Sequence, residues 1–84
     1  MRSDEKFIKL LADARKQIEI GAKYRHYKGG LYTVIDLALI EETENAAVVY
    51  RAEYGEKFTW IRPLDNFLEK IEQNGKIISR FSKI

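Results

Sequence analysis

Asn74-Gly75, set between two segments that alternate apolar and polar residues, does most to limit what this chain can fold into. Asn and Gly tolerate the positive φ that a type I′ turn needs, and the twist of that turn matches paired antiparallel strands. Leu68 to Gln73 and Lys76 to Phe81 are therefore expected to form a hairpin. In that register Ile71 faces Ile78 and Glu69 faces Arg80, an apolar pair and an ion pair that both favour it. Turn signals recur upstream at Lys28-Gly29-Gly30, at the polar stretch from Glu41 to Asn45, and at Gly55-Glu56-Lys57. Between them, Tyr24 to Tyr27, Leu31 to Ile40, Ala46 to Glu53 and Phe58 to Arg62 read as strands. Pro63 ends the last because it cannot donate to a ladder, and Leu64 to Phe67 is expected to make one helical turn. Five or six short strands, with turn signals every ~8–12 residues, predict a small antiparallel barrel or rolled sheet.

The opening of the chain follows a different period. Phe7, Leu11, Ala14 and Ile18 recur at helical spacing, with Ile8 and Leu10 widening the stripe. Ser3 is placed to cap, Asp4 and Glu5 suit the positive end of a helix dipole, and Gly21 is a stop. The spacing predicts a helix from Asp4 to Gln17, with residues 1–22 as helix and linker and residues 23–84 as the β-domain. A helix this short is marginal alone, so its stripe is expected to dock on the β-domain or on a second copy of the chain.

Composition removes whole classes of function. The chain has 84 residues, 15 Lys plus Arg against 13 Asp plus Glu, and a formal charge of +2, too small an excess for a histone-like binder. It has no cysteine and one histidine, which excludes disulfides, thiolate zinc sites, cysteine nucleophiles and His-rich metal sites. No apolar run approaches the ~20 residues of a membrane helix. Arg2, Asp4, Glu5, Lys6 and Asp13 break any signal-peptide pattern, so the expected compartment is the cytoplasm.

Tyr24-Arg25-His26-Tyr27-Lys28-Gly29-Gly30-Leu31-Tyr32, Val48-Val49-Tyr50-Arg51, Tyr54-Gly55-Glu56, Trp60-Ile61-Arg62-Pro63-Leu64, Phe67-Leu68-Glu69, Gly75-Lys76 and Arg80-Phe81 form a recognisable string. Over about Lys23 to Phe81 it resembles the bacterial family known as domain of unknown function 1653. The resemblance implies an SH3-like small β-barrel and implies no activity. The chain departs from the family pattern at Ile40, where an A-x-H-x-E-T motif has a second histidine; Glu42 and Thr43 keep the rest.

The candidate site residues are aromatic and basic. Tyr24, Tyr27, Tyr32, Tyr50, Tyr54, Phe58 and Trp60 lie on neighbouring strands with Arg25, Arg51 and Arg62 interleaved, the composition of a platform that stacks bases, rings or proline-rich peptide. The same rings could instead form and cover the core. The ligand-binding candidates are Tyr24, Arg25, His26, Tyr27, Tyr50, Arg51, Tyr54, Trp60 and Arg62. Alternation puts Phe58, Trp60 and Arg62 on one face and Thr59 and Ile61 on the other. His26, the only side chain that titrates near neutral pH, is either a polar site residue or a packed strand residue. Glu41, Glu42 and Glu44 lack calcium-loop spacing, and Lys28-Gly29-Gly30 is a turn rather than a phosphate cradle. Asp36, inside an apolar strand, is expected to pair with Arg62 or Lys28, or to have its pKa raised by burial. No nucleophile has a base beside it, so no catalytic residue, metal or cofactor is expected. The fold class is mainly β, an SH3-like small antiparallel barrel with an N-terminal helix, and the function a binding or interaction module for a protein, peptide or small molecule. Single-stranded nucleic-acid binding, a structural dimerisation module and an accessory enzyme domain are the alternatives. No membrane partner is expected, and monomer and homodimer both stay open.

Overall fold

The computed structural model describes residues 4–84; the Ser3 cap lies outside them. Helix α1 spans Asp4–Gln17, with Asp4 and Glu5 in its first turn and Arg15 and Lys16 in its last, charges that complement the helix dipole at both ends. Its stripe docks on the chain's own sheet. Ala14 and Ile18 (the latter just past the helix) are buried, and Leu10 and Leu11 pack partly buried against the same core.

The β-structure has seven strands: β1 (Lys23–His26), β2 (Leu31–Ile40), β3 (Asn45–Ala52), β4 (Thr59–Pro63), β5 (Lys70–Gln73), β6 (Lys76–Ser79) and β7 (Phe81–Lys83). A short helical turn, α2 (Leu64–Phe67), follows β4 as expected. The strands form two antiparallel sheets, one ordered β4-β3-β2-β1-β7 and the other pairing β5 with β6. The fold is thus mainly β with an N-terminal helix, and β4 and β7 are the edges of the larger sheet.

The hairpin register is the expected one, with Ile71 opposite Ile78. Asn74 and Gly75 have φ of 54° and 78°. The segment from Lys76 to Phe81 is not one strand, however. It divides at Arg80, whose N–H donates to the Glu69 carbonyl at 3.0 Å while its carbonyl accepts from the Tyr27 N–H at 2.9 Å. Arg80 therefore joins the end of one sheet to the end of the other, and its guanidinium pairs with Glu69 at 2.7 Å.

Asp36 differs from expectation. The β2–β3 register shifts between Val34 and Asp36, and the extra residue of this bulge turns Asp36 outward. Its carboxylate accepts from the Leu37 N–H at 2.8 Å and makes no ion pair with Arg62 or Lys28.

The core gathers α1, the inner face of the large sheet and α2. Ala14, Ile18, Val34, Leu37, Val48, Tyr50, Leu64, Phe67 and Phe81 form one buried cluster. Phe67 and Phe81 stack with ring centroids 4.0 Å apart.

Candidate ligand-binding face

Cross-strand partners share a face of a sheet. Trp60 lies opposite Tyr50 and Arg62 opposite Val48, so all four stand on the inner face, the side covered by α1 and α2. The cover does not extend over β4. Tyr50 and Val48 are buried, whereas Trp60 is 52% exposed, Phe58 61% and Tyr54 53%. Phe58 lies just before β4 and Trp60 at its start, and Tyr54 lies in the turn before them. Phe58 and Trp60 meet edge-on with centroids 6.3 Å apart.

Tyr54 is anchored from the other side. Its hydroxyl hydrogen-bonds the Tyr32 hydroxyl, and the two rings are 5.6 Å apart. Both rest on Gly30, where an added Cβ would lie 3.0–3.1 Å from Tyr32 and Tyr54 atoms. The glycine of this turn is thus the floor of the tyrosine pair. Burial, then the hydrogen bond shared with Tyr54, pushes the Tyr32 hydroxyl up to about 12, so Tyr32 is a neutral donor or acceptor at any physiological pH. A surface cavity of about 610 Å³ opens beside the pair, walled also by His26, Lys28 and Glu53.

Arg62 is the cation of this region. Its Nε–H donates to the Tyr50 hydroxyl at 3.1 Å, a terminal N–H donates to the Asn66 side-chain oxygen, and the guanidinium lies 5.5 Å from the centre of the Phe81 ring. Among the described residues it makes no ion pair. A guanidinium fixed this way holds two of its five donors in place and leaves the others for an anion.

His26 sits across Phe81 from this group, its ring 4.9 Å from Phe81 and 4.5 Å from Tyr27. Its Nδ1 accepts the Lys28 backbone N–H at 3.1 Å, which puts the proton of the neutral ring on Nε2. Burial lowers its pKa, and the positive charges of Arg62, Arg80 and Lys28 lower it further. Glu53 shows the opposite balance. Thr33 donates to its carboxylate at 2.7 Å and Lys23 at 3.0 Å, and these bonds hold it at about 2.

The residues singled out from the sequence therefore separate. Trp60 and Arg62 share the inner face of β4 beyond the helical cover, while Tyr54 pairs with Tyr32 beside the cavity. Tyr24 and Tyr50 belong to the core, where Tyr24 packs edge-on to Phe67 at 5.6 Å and Tyr50 at 5.5 Å. Arg25 and Tyr27, with His26, line a different groove beside Ile78 and Ser82. Arg51 is exposed on the other face of the sheet, opposite Thr59. Asn66, which orients Arg62, was not among the candidates; its only sequence signal is its place four residues after Arg62. Among the described residues no group of three or more His, Cys, Asp or Glu is placed to hold a metal ion, and Glu44 pairs with Lys6 at 3.3 Å.

Fold and face together define a small two-sheet β-domain that keeps an aromatic surface uncovered beside a fixed arginine. Residues 22–83 match the family model described as protein of unknown function (DUF1653), and the chain belongs to this family. Its fold is similar to a crystal structure of a protein belonging to DUF1653 from Bordetella bronchiseptica, with a TM-score of 0.70 and 30% sequence identity over 81% of this chain and 90% of that one. No curated protein matches the chain. Among the described residues no helix is long and apolar enough to cross a membrane.

Proposed function

We propose that this chain is a non-enzymatic binding module, an SH3-like small barrel closed at one end by α1 and presenting its ligand face at the open side bounded by β4. On this reading residues 1–22 are a helical cover and linker, and residues 23–84 are the barrel that carries the face. The observation that supports it is the exposure of Phe58 and Trp60, which meet edge-on at the start of β4, with Tyr54 also more than half exposed in the turn before them. Single exposed apolar residues are ordinary, but large rings gathered beside a half-buried cation are the pattern of a ligand surface. The partner is a ligand that presents flat apolar groups to these rings. A chain without cysteine suits the reducing cytoplasm, where the module is proposed to act. Dimerisation through the α1 stripe is the weaker reading, because Ala14 and Ile18 are already buried against the chain's own sheet.

An amide-detected NMR titration with indole and benzoate tests the face. Shifts are expected at the Trp60 indole N–H and at the Tyr54 and Phe58 amides. Shifts confined to α1 or to the β5–β6 hairpin would overturn the assignment.

A further inference from the structure

Phe58, immediately before β4, and Trp60 and Arg62 within it form a row on one face of an edge strand. Residues two apart on a strand stand about 6.7 Å from one another, so the row carries two exposed rings and then Arg62, whose guanidinium turns in over Phe81 and keeps donors free beyond Tyr50 and Asn66. Among the described residues Arg62 has no carboxylate partner, and no further strand pairs with the outer edge of β4. A partner that satisfies the row must offer flat groups for the two rings and an anionic group for Arg62. We propose that this face binds single-stranded nucleic acid, with bases stacked on Phe58 and Trp60 and a phosphate paired with Arg62.

The charges around the row fit an anionic strand. Arg62 and Lys28, both close enough to His26 to lower its pKa, have no carboxylate partner among the described residues. Of the nearby acids, Glu53 is held by Lys23 and Thr33 and Glu69 by Arg80; Glu56 lies exposed in the turn before Phe58. A basic or proline-rich peptide would leave Arg62 without an anion. An acidic peptide would supply charge, but would stack on the rings only where it also carried aromatic side chains. With a chain charge of only +2, long-range steering is weak, so the affinity is micromolar and falls with salt.

This inference rests on the binding-module reading, and one titration separates the two. Trp60 is the only tryptophan, so its fluorescence reports on the row directly. The probes are a ten-nucleotide oligo-uridine and oligo-deoxythymidine, with inorganic polyphosphate and a glutamate-rich peptide as anions that lack bases. Both oligonucleotides are expected to quench Trp60, and to bind more weakly as salt rises from about 50 to 200 mM. Phe58→Leu, at an exposed position, is expected to weaken oligonucleotide binding about tenfold through lost stacking and to leave polyphosphate binding unchanged. Arg62→Lys keeps the charge but not the guanidinium fork, and is expected to weaken it several-fold; circular dichroism verifies that each variant is folded. Oligonucleotides that leave Trp60 unchanged at low salt, or that bind wild type and Phe58→Leu equally, would overturn the proposal. If the glutamate-rich peptide alone moves Trp60, nucleic-acid recognition fails while the binding module stands. If indole and benzoate also miss these rings, both fail.

Discussion

His26 shows how little of a side chain's chemistry follows from its type. As the one group that titrates near neutrality it stood out in the sequence, but nothing there indicated that its Nδ1 would be occupied by the Lys28 N–H or that three cations would surround it. Protonation would break that hydrogen bond and add a charge beside Arg62, Arg80 and Lys28. Burial of the ring, and then those three positive charges, lower its pKa from 6.5. A base whose pKa is lower folded than unfolded takes up protons more readily in the unfolded chain, so folding stability is kept above 6.5 and declines as the pH falls below it. His26→Gln is expected to flatten that decline, measured as melting temperature against pH from neutrality downward; equal slopes for variant and wild type would exclude it. Glu53 acts in a separate window. Held at about 2 by Thr33 and Lys23, it favours the folded state above its ordinary 4.5 and loses that contribution as the pH falls toward 2.

At the scale of elements, local signals were legible and non-local ones were not. The bounds of α1 and the β5–β6 register follow from periodicity and turn chemistry alone, because both are decided by residues within a few positions of one another. The bulge at Ile35 had no signal, since Leu31 to Ile40 has no glycine or proline to mark it and the extra residue is set by pairing with β3. The break at Arg80 was hidden for the same reason: β7 leaves the hairpin to pair with β1, nearly sixty positions away in the chain. Strand alternation likewise could not separate Tyr50 from Trp60. They are register partners on one face, and only the extent of the α1 and α2 cover makes one core and the other surface. The Asn74-Gly75 turn offers a direct check. Both residues have positive φ, which a β-branched side chain resists. Gly75→Val is expected to cost about 1–2 kcal/mol in denaturant unfolding, and a variant as stable as wild type would mean that the turn is not needed to hold the hairpin.

For the molecule as a whole, burial and exposure are divided between the two ends of the inner face. One cluster unites Ala14 and Ile18 from the helical end with Val34, Val48, Phe67 and Phe81 from the sheet and α2, so helix and sheet should unfold together. Ile18 is 2% exposed, and truncating a fully buried isoleucine leaves a cavity that neighbours fill only in part. Ile18→Ala is therefore expected to lower unfolding free energy by about 2–5 kcal/mol, in a single transition read alike by far-ultraviolet circular dichroism and by Trp60 fluorescence. Because the stripe is covered within one chain, the melting temperature of wild type and variant should not depend on protein concentration, as it would if a second copy supplied the cover. Trp60→Phe or Phe58→Leu, on the uncovered side, should shift stability by only a few tenths of a kcal/mol. A large loss at Phe58 with none at Ile18 would reverse this division and make the exposed rings part of the folding core. A wild-type dimer whose Ile18→Ala variant is a folded monomer of unchanged melting temperature would instead move the helix stripe to a contact between copies.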